Sequence, residues 1–208
     1  MPRVTIVSEA EAVDKVAQTY ERLRELLGTE TVPEMFLVYG RVPAFLQDFY
    51  MNFKKFVLGE GKLDAMKRTI IGLAVSANAG SEPWAEFFVN RAVAQGLTQQ
   101  TIADVIAVAS TNAMYNTFFK FRDIAGTDLF NGMSVGLRAH TFQNTSLDQP
   151  TVELINIVIS DINACKPCTS GHVAKARELG INEEAILESI QCAATMLAGI
   201  QFLKAAGY

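Results

Sequence analysis

Apolar residues recur along the chain at intervals of three and four positions, the spacing of amphipathic helices. The first such run, from Ala12 to Leu23, follows a capping-box pair formed by Ser8 and Glu11 and stops at Gly28. Alternating strand patterns hardly occur. The pattern predicts helices at about 12–27, 43–58, 63–79, 82–95, 98–124, 151–164, 168–179 and 183–206. The glycine-rich stretch 128–148 is predicted to be a connector that holds one short helix at most.

The helical region contains an internal repeat. Shifted by 84 positions without gaps, the sequence aligns with itself, including a proline before one helix and a glycine after it. Ile71, Ser76, Pro83, Ala92, Gly96, Ile102, Ile106, Ala109, Thr111, Phe118 and Lys120 align with Ile155, Ser160, Pro167, Ala176, Gly180, Ile186, Ile190, Ala193, Thr195, Phe202 and Lys204. We therefore predict an all-α fold with two helical copies, at 63–124 and 147–208, after an N-terminal helical extension at 1–62. The copies are expected to pack as a single domain over residues 1–208.

Composition and charge exclude several classes of function. The chain is 50% hydrophobic, and its 18 basic and 22 acidic residues, without a basic run, give a net charge of -4, so a phosphate backbone is an unexpected partner. The N-terminus shows no apolar signal peptide, and no apolar stretch approaches the ~18 uninterrupted residues that a membrane span needs. We therefore expect a cytoplasmic protein without nucleic-acid or membrane binding, and the high apolarity suggests surface buried between subunits.

The candidate chemistry lies in a Cys-x-x-Cys motif formed by Cys165, Lys166, Pro167 and Cys168. Proline favours a first helical turn, so Pro167 predicts that Cys168 lies near a helix N-terminus, where backbone N–H groups and the macrodipole stabilise a thiolate. His172 follows one turn later on the same face and can accept the thiol proton. Cys165 is close enough to attack an adduct on Cys168 and form a disulfide. The motif therefore predicts a reversible dithiol/disulfide pair in which Cys168 is the attacking thiol.

Glu153 is the candidate for orienting His172. If the helices on either side of the motif pack antiparallel, a glutamate side chain can bridge much of the distance between them and strengthen the imidazole as a base. A solvated helix carboxylate is the simpler alternative. In the first copy the positions of Cys165, Cys168, His172 and Glu153 hold Ser81, Trp84, Phe88 and Thr69. None of these can replace its counterpart's chemistry, so only the second copy is expected to be active.

A Cys-x-x-Cys pair can also serve in metal binding, haem attachment or thioredoxin-like chemistry. Zinc would take the two cysteines and the histidine as ligands and would need a fourth from Glu153, Cys192 or His140. Covalent haem attachment requires histidine directly after the second cysteine, and Thr169 stands there. Thioredoxin-like chemistry would need a βαβ context, which the pattern lacks. Cys192, within an apolar helical run, is interpreted as a core thiol, and His140 as a surface or packing residue.

These residues resemble a known family. The spacing of Glu153, Cys165, Cys168 and His172, with the preceding stretch 158–165, looks like the active-site region of alkyl hydroperoxidase D in the carboxymuconolactone decarboxylase-like superfamily. The similarity extends upstream through 113–122 and 136–138, downstream through 179–186, and covers roughly residues 63 to 206.

The resemblance implies reduction of organic hydroperoxides, with Cys168 as the peroxidatic thiol, Cys165 as the resolving thiol, and His172 with Glu153 as the proton relay. It also implies an all-helical fold, a homotrimer, no bound cofactor, and no metal. The implied partners are a dithiol reductant such as a dihydrolipoyl group, and a peroxiredoxin. One position departs from the family pattern: Pro167 stands where a histidine is common, which implies a shorter relay and relatively more disulfide reduction.

Two alternatives to a peroxidase or disulfide reductase stay open at this point. The decarboxylase branch of the superfamily would act on a lactone acid, but that chemistry does not explain the cysteine pair. A non-enzymatic helical oligomer, responding to redox state or to zinc, would explain the cysteines without catalysis.

Overall fold

The structure is a computed structural model that describes residues 2–208, and within them every regular element is helical. The all-α prediction is therefore confirmed. The helices are α1 (Asp14–Leu27), α2 (Glu34–Tyr39), α3 (Pro43–Asn52, continued by a π-helical turn Phe53–Val57), α4 (Ala65–Ala79), α5 (Glu82–Ala94), α6 (Gln99–Ile124), α7 (Gln149–Ile162), α8 (Lys166–Glu178) and α9 (Glu183–Ala206). Two short 3₁₀ turns, Asp128–Phe130 and His140–Phe142, lie in the connector between α6 and α7.

Most helix boundaries follow from local capping chemistry. The side chains of Asp64, Thr98, Asp148 and Asn182 accept hydrogen bonds from backbone N–H groups in the first turns of α4, α6, α7 and α9. These four caps form two pairs separated by 84 residues, as the repeat requires. The two-copy repeat thus extends from sequence to helix start sites.

Three details differ from the sequence prediction. The Ser8 N–H and hydroxyl both donate to the Glu11 carboxylate, which is half of a capping box, but these residues close a turn, and α1 begins only at Asp14. The short helix α2 was missed because six residues give too little periodicity to detect. The connector was predicted to hold at most one short helix; this is wrong, because it holds two 3₁₀ turns, which need only local i to i+3 bonds.

Two helices form the centre of the molecule. Every residue of α4 from Arg68 to Ser76 is buried, as is every residue of α7 from Thr151 to Ser160. These helices contact each other, α5 and α9 pack on α4, α8 packs on α7, and α6 packs on both. A helix that is buried all round is typical of a core position, so α7 can carry a catalytic side chain into a dry environment.

The long C-terminal helix α9 is rich in apolar residues. By length and mean hydropathy it could cross a membrane, although polar residues interrupt its apolar positions, as expected from the sequence. Half of its most apolar window is buried inside the protein, where α9 packs on α4, α7 and the π-helical turn. Its apolarity therefore fits its position in the core.

Candidate active site

The turn between α7 and α8 places the cysteine pair. Asn163 ends α7, Ala164 adopts a left-handed backbone conformation (φ 53°), and Cys165 is the N-cap residue of α8. The Cys165 N–H donates to the Ser160 carbonyl at 2.9 Å, and its carbonyl accepts from the Thr169 N–H at 2.9 Å. Cys168 therefore lies in the first turn of α8, where unpaired backbone N–H groups favour a thiolate.

Cys165 and Cys168 form a disulfide, with their Cα atoms 5.3 Å apart. The two residues differ in exposure, because Cys165 is fully buried (0% exposed) whereas Cys168 is partly exposed. Of the two, Cys168 is the residue that solvent reaches. This asymmetry could not be read from the motif itself.

His172 and Glu153 are brought together by the packing of α8 against α7. His172 Nδ1 lies 2.7 Å from Glu153 Oε2, although the residues are 19 positions apart. Glu153 is buried (8% exposed) on the central helix, and His172 reaches it from the more exposed helix. A carboxylate in this position fixes the ring orientation and leaves Nε2 for other chemistry.

A mostly apolar cavity of about 290 Å³ adjoins these groups. Its lining consists of Asn112, Tyr115, Phe119, Phe142, Pro167, Cys168, Gly171 and His172. The cavity therefore joins the accessible cysteine, the histidine and one aromatic wall. Its volume is at the small end of the roughly 300–1,000 Å³ that is typical of ligand pockets.

The aromatic wall comes from α6 and the connector, which sequence reasoning did not assign to the site. The Tyr115 hydroxyl donates to the Leu137 carbonyl at 2.8 Å, and the rings of Tyr115 and Phe142 lie 6.1 Å apart. A polar cavity of about 430 Å³ adjoins the wall across Phe119 and Pro167. The only earlier signal was that the family resemblance includes 113–122, which contains Tyr115 and Phe119.

The remaining candidate ligands lie elsewhere. Cys192 is buried in α9, where burial raises the pKa of its thiol to about 12, and its sulfur lies 3.9 Å from the Arg68 carbonyl oxygen. His140 is exposed on the second 3₁₀ turn. Among residues 2–208 no group of three or more His, Cys, Asp or Glu side chains is arranged to hold a metal ion. The zinc hypothesis is left without a ligand set in the described chain.

The first copy has a filled core at the equivalent position. Trp84, the counterpart of Cys168, is fully buried, and its indole N–H donates to the Tyr39 hydroxyl at 3.0 Å. Phe88, the counterpart of His172, packs so closely on α4 that a Cβ on Gly72 would lie 2.3 Å from its ring. Space that is a cavity in the second copy is occupied by aromatic rings in the first.

Comparisons with known proteins identify the family of this chain. The family model described as "Carboxymuconolactone decarboxylase family" matches residues 45–125 and 130–208, one segment for each copy. The chain is 27% identical over 163 residues to the alkyl hydroperoxide reductase AhpD of Solibacter usitatus, covering 78% of this chain and 91% of that protein.

Solved structures give the same fold. The alkylhydroperoxidase AhpD core from Rhodospirillum rubrum superposes with a TM-score of 0.54 at 26% identity, covering 62% of this chain and 97% of the other. A candidate γ-carboxymuconolactone decarboxylase subunit from Burkholderia xenovorans superposes with a TM-score of 0.60, covering 93% and 97%; at 16% identity it shows the fold alone. With both of its helical copies matched by the family model, the chain belongs to the carboxymuconolactone decarboxylase family.

Proposed function

We propose that the protein is a thiol-dependent peroxidase and disulfide reductase that works through Cys165 and Cys168. The observation that carries this proposal is a partly exposed Cys168, bonded to a buried Cys165, that shares a cavity with His172. Glu153 holds the imidazole from the other side. The low-identity AhpD relatives support a peroxidase-like activity in general.

The first half-reaction oxidises the pair. His172 accepts the Cys168 proton, and the thiolate attacks the terminal oxygen of a hydroperoxide ROOH, so that the O–O bond breaks. The leaving alkoxide takes a proton and departs as the alcohol ROH, and Cys168 becomes a sulfenic acid. The Cys165 thiol then attacks the Cys168 sulfur, water leaves, and the disulfide forms.

The second half-reaction restores the dithiol. A reductant thiolate attacks Cys168, because Cys168 is the more exposed of the two residues, and Cys165 leaves as a thiol after protonation. The second thiol of the reductant attacks the mixed disulfide and releases reduced Cys168. Two electrons and two protons thus pass from a dithiol, which closes to its own disulfide. The resemblance favours a dihydrolipoyl group as this dithiol and a peroxiredoxin as a further partner.

The cavity indicates the class of hydroperoxide. Its aromatic and proline lining suits an alkyl or aryl group, and its size suits a small one. Pro167 supplies no imidazole beside Cys168, so only His172 serves the leaving oxygen. We therefore expect slower hydroperoxide turnover than in family members with histidine there, and relatively faster disulfide reduction.

We also propose that the protein is a cytoplasmic homotrimer with each chain folded as one domain, as the resemblance implies. Exposed large apolar side chains on the C-terminal end of α6 and on the connector support an interface between subunits. Phe121, Ile124, Leu129 and Met133 are between 48% and 72% exposed in the single chain.

The test measures hydroperoxide consumption by purified protein with a panel of dithiols. We expect turnover with tert-butyl or cumene hydroperoxide, and peptide mapping of the oxidised protein should show the Cys165–Cys168 disulfide. A dominant disulfide that contains Cys192 would contradict the assignment. Decarboxylation of carboxymuconolactone, undiminished in Cys168→Ser, would replace the proposal with the decarboxylase alternative.

A further inference from the structure

A group of asparagine amides, of which Asn112 and Asn116 are buried and Asn163 is half-buried, lies behind the turn that carries Cys165, between α6 and α7. The Asn112 side-chain amide donates to the Asn156 carbonyl at 2.8 Å and to the Ser160 hydroxyl at 3.1 Å. The Asn116 amide donates to the same hydroxyl at 3.0 Å and to Asn112 Oδ1 at 3.1 Å. The Asn163 amide donates to Asn116 Oδ1 at 3.1 Å. We refer to Asn112, Asn116, Ser160 and Asn163 as the asparagine network.

The network connects the cavity with the turn that carries Cys165. At one end, Asn112 lines the cavity beside Cys168. At the other end, Asn163 immediately precedes Ala164, whose left-handed conformation is unfavourable for a residue with a Cβ. In between, the Ser160 carbonyl holds the Cys165 N–H. The turn therefore depends on contacts outside itself to keep its shape.

The equivalent interface, between α4 of the first copy and α9 of the second, packs without these amides. Asn112 and Asn116 on α6 correspond to Met196 and Ile200 on α9, and Asn163 corresponds to Ala79. Ser160 corresponds to Ser76, whose hydroxyl donates within its own helix to the Gly72 carbonyl at 2.7 Å. The scaffold therefore closes with apolar residues at these positions, and the amides are confined to the interface behind the cysteine turn.

A neighbouring hydrogen bond is common to both interfaces. Lys120 Nζ donates to the Asn163 carbonyl at 2.9 Å, and its counterpart Lys204 donates to the Ala79 carbonyl at the same distance. The end of each central helix is therefore anchored by a lysine from the last helix of the other copy. Only the anchor behind the cysteine pair includes side-chain amides in addition to the lysine.

We propose that the asparagine network is a positioning device that fixes Cys165 relative to Cys168 and thereby sets the equilibrium between dithiol and disulfide. The inference rests on the proposed redox function and goes beyond it. Two thiols held in bonding geometry close more readily than two on a loose turn, because their effective concentration is higher. Buried, mutually bonded amides restrict the turn in this way.

A matched pair of substitutions tests the proposal. Ser160→Ala removes the hydroxyl that accepts from Asn112 and Asn116, and Ser76→Ala removes the equivalent buried hydroxyl from the first copy. Each protein is equilibrated with buffers of reduced and oxidised dithiothreitol, free thiols are counted, and folding is checked by circular dichroism. Dithiothreitol supplies the two electrons and two protons that open the disulfide, and it closes to its own ring disulfide.

We expect Ser160→Ala to lower the equilibrium constant for disulfide formation about tenfold, which is about 30 mV for this two-electron couple. Ser76→Ala should stay within about twofold of the parent, because it touches only the first copy. Equal shifts in both variants, or a parent-like Ser160→Ala, would overturn the inference.

A transplant sharpens the test. The triple variant Asn112→Met, Asn116→Ile, Asn163→Ala introduces the residues of the equivalent interface between α4 and α9, and Ser160 is then free to bond within its own helix as Ser76 does. We expect a folded protein with an equilibrium constant at least as low as that of Ser160→Ala. A folded triple variant with the same equilibrium constant as the parent contradicts the proposal. If the triple variant does not fold, the comparison of Ser160→Ala with Ser76→Ala tests the proposal by itself. A parent protein that dithiothreitol cannot reduce and peroxide cannot reoxidise would instead refute the proposed function.

Discussion

At the turn between α4 and α5, Trp84 fills the position that Cys168 takes between α7 and α8. The indole is fully buried among the aromatic rings of α2, α3 and α5, with Phe36 5.6 Å and Phe53 5.4 Å away between ring centroids. The N-terminal extension thus closes the first copy. In the second copy the connector contributes Phe142 but leaves a cavity beside Cys168. The same turn therefore serves packing in one copy and access in the other.

The features that both copies keep identify the scaffold. The last helix of each copy supplies a carboxylate that accepts from an N–H in the loop before the central helix of the other copy. Glu188 accepts from the N–H groups of Lys62 and Leu63, and Asp104 accepts from the Ser146 N–H. These contacts are independent of the cysteine chemistry. Substitutions of the shared features should change stability, whereas substitutions of the unshared ones should change reactivity.

The largest contrast concerns the thiols. Cys168→Ser should abolish hydroperoxide consumption, because no other accessible thiol replaces it in the described chain. Cys165→Ser should still undergo one oxidation and leave a sulfenic acid on Cys168 that dimedone traps. Cys192→Ala is the control and should keep activity, because that thiol is buried away from the cavity. Trapping that succeeds only in the Cys168 variant would reverse the two roles.

The next contrast concerns stability. Trp84→Ala should lower the free energy of unfolding by about 3–5 kcal/mol, because a fully buried aromatic side chain and its hydrogen bond to Tyr39 are lost. Cys168→Ser, at the equivalent position, should change it by less than about 1 kcal/mol under reducing conditions. Urea unfolding of both variants measures the difference. Similar losses of stability in the two variants would mean that the side chains of Trp84 and Cys168 contribute equally to folding.

His172 should have a smaller but distinct effect on reactivity. In His172→Gln the reduced Cys168 loses its proton acceptor, so its pKa should rise toward that of a free thiol, ~8.5. Peroxide consumption at neutral pH should fall about 10²-fold and partly recover in alkali. Glu153→Gln should cause a milder loss of the same kind. Alkylation of Cys168 against pH measures both, and coincident curves for parent and variants would exclude His172 as the activating base.

The smallest expected effect is a loss of folding stability at acid pH, which both copies share because each relies on one of the carboxylates Glu188 and Asp104. Burial tends to raise the pKa of Glu188, but the N–H groups of Lys62 and Leu63 and the charge of Arg68 lower it overall. Its folded-state pKa is thus below its unfolded value of about 4.5, so its stabilisation is complete above that pH and is lost as the pH falls through the folded pKa. The N–H and hydroxyl of Ser146 likewise lower the pKa of Asp104.

Glu188→Gln and Asp104→Asn test this sensitivity in the two copies. Each variant should be less stable than the parent at pH 7, and the difference should shrink as the pH falls below about 4. The Glu188 effect should be larger, because Glu188 also pairs with the buried Arg68 at 2.7 Å. Urea unfolding at pH 7 and pH 3.5 measures both. A difference that is independent of pH would show that the carboxylate charges do not contribute.

Local sequence signals determined the helical fold, the repeat and the residues of the cysteine motif. Helix periodicity, capping residues and the i to i+4 spacing of Cys168 and His172 are set within a few positions of the chain. Even the contact between Glu153 and His172 could be anticipated, because a short turn makes the packing of two sequential helices nearly antiparallel.

Tertiary structure alone decided which cysteine is exposed, where the cavity lies, and how the turn that carries the cysteines is supported. Cys165 is buried and Cys168 is partly exposed because of what packs around the turn, not because of the motif. Asn112 on α6 and Phe142 on the connector reach the site only after distant parts of the chain have packed. Such contacts join residues with no fixed spacing, so no periodic pattern can encode them.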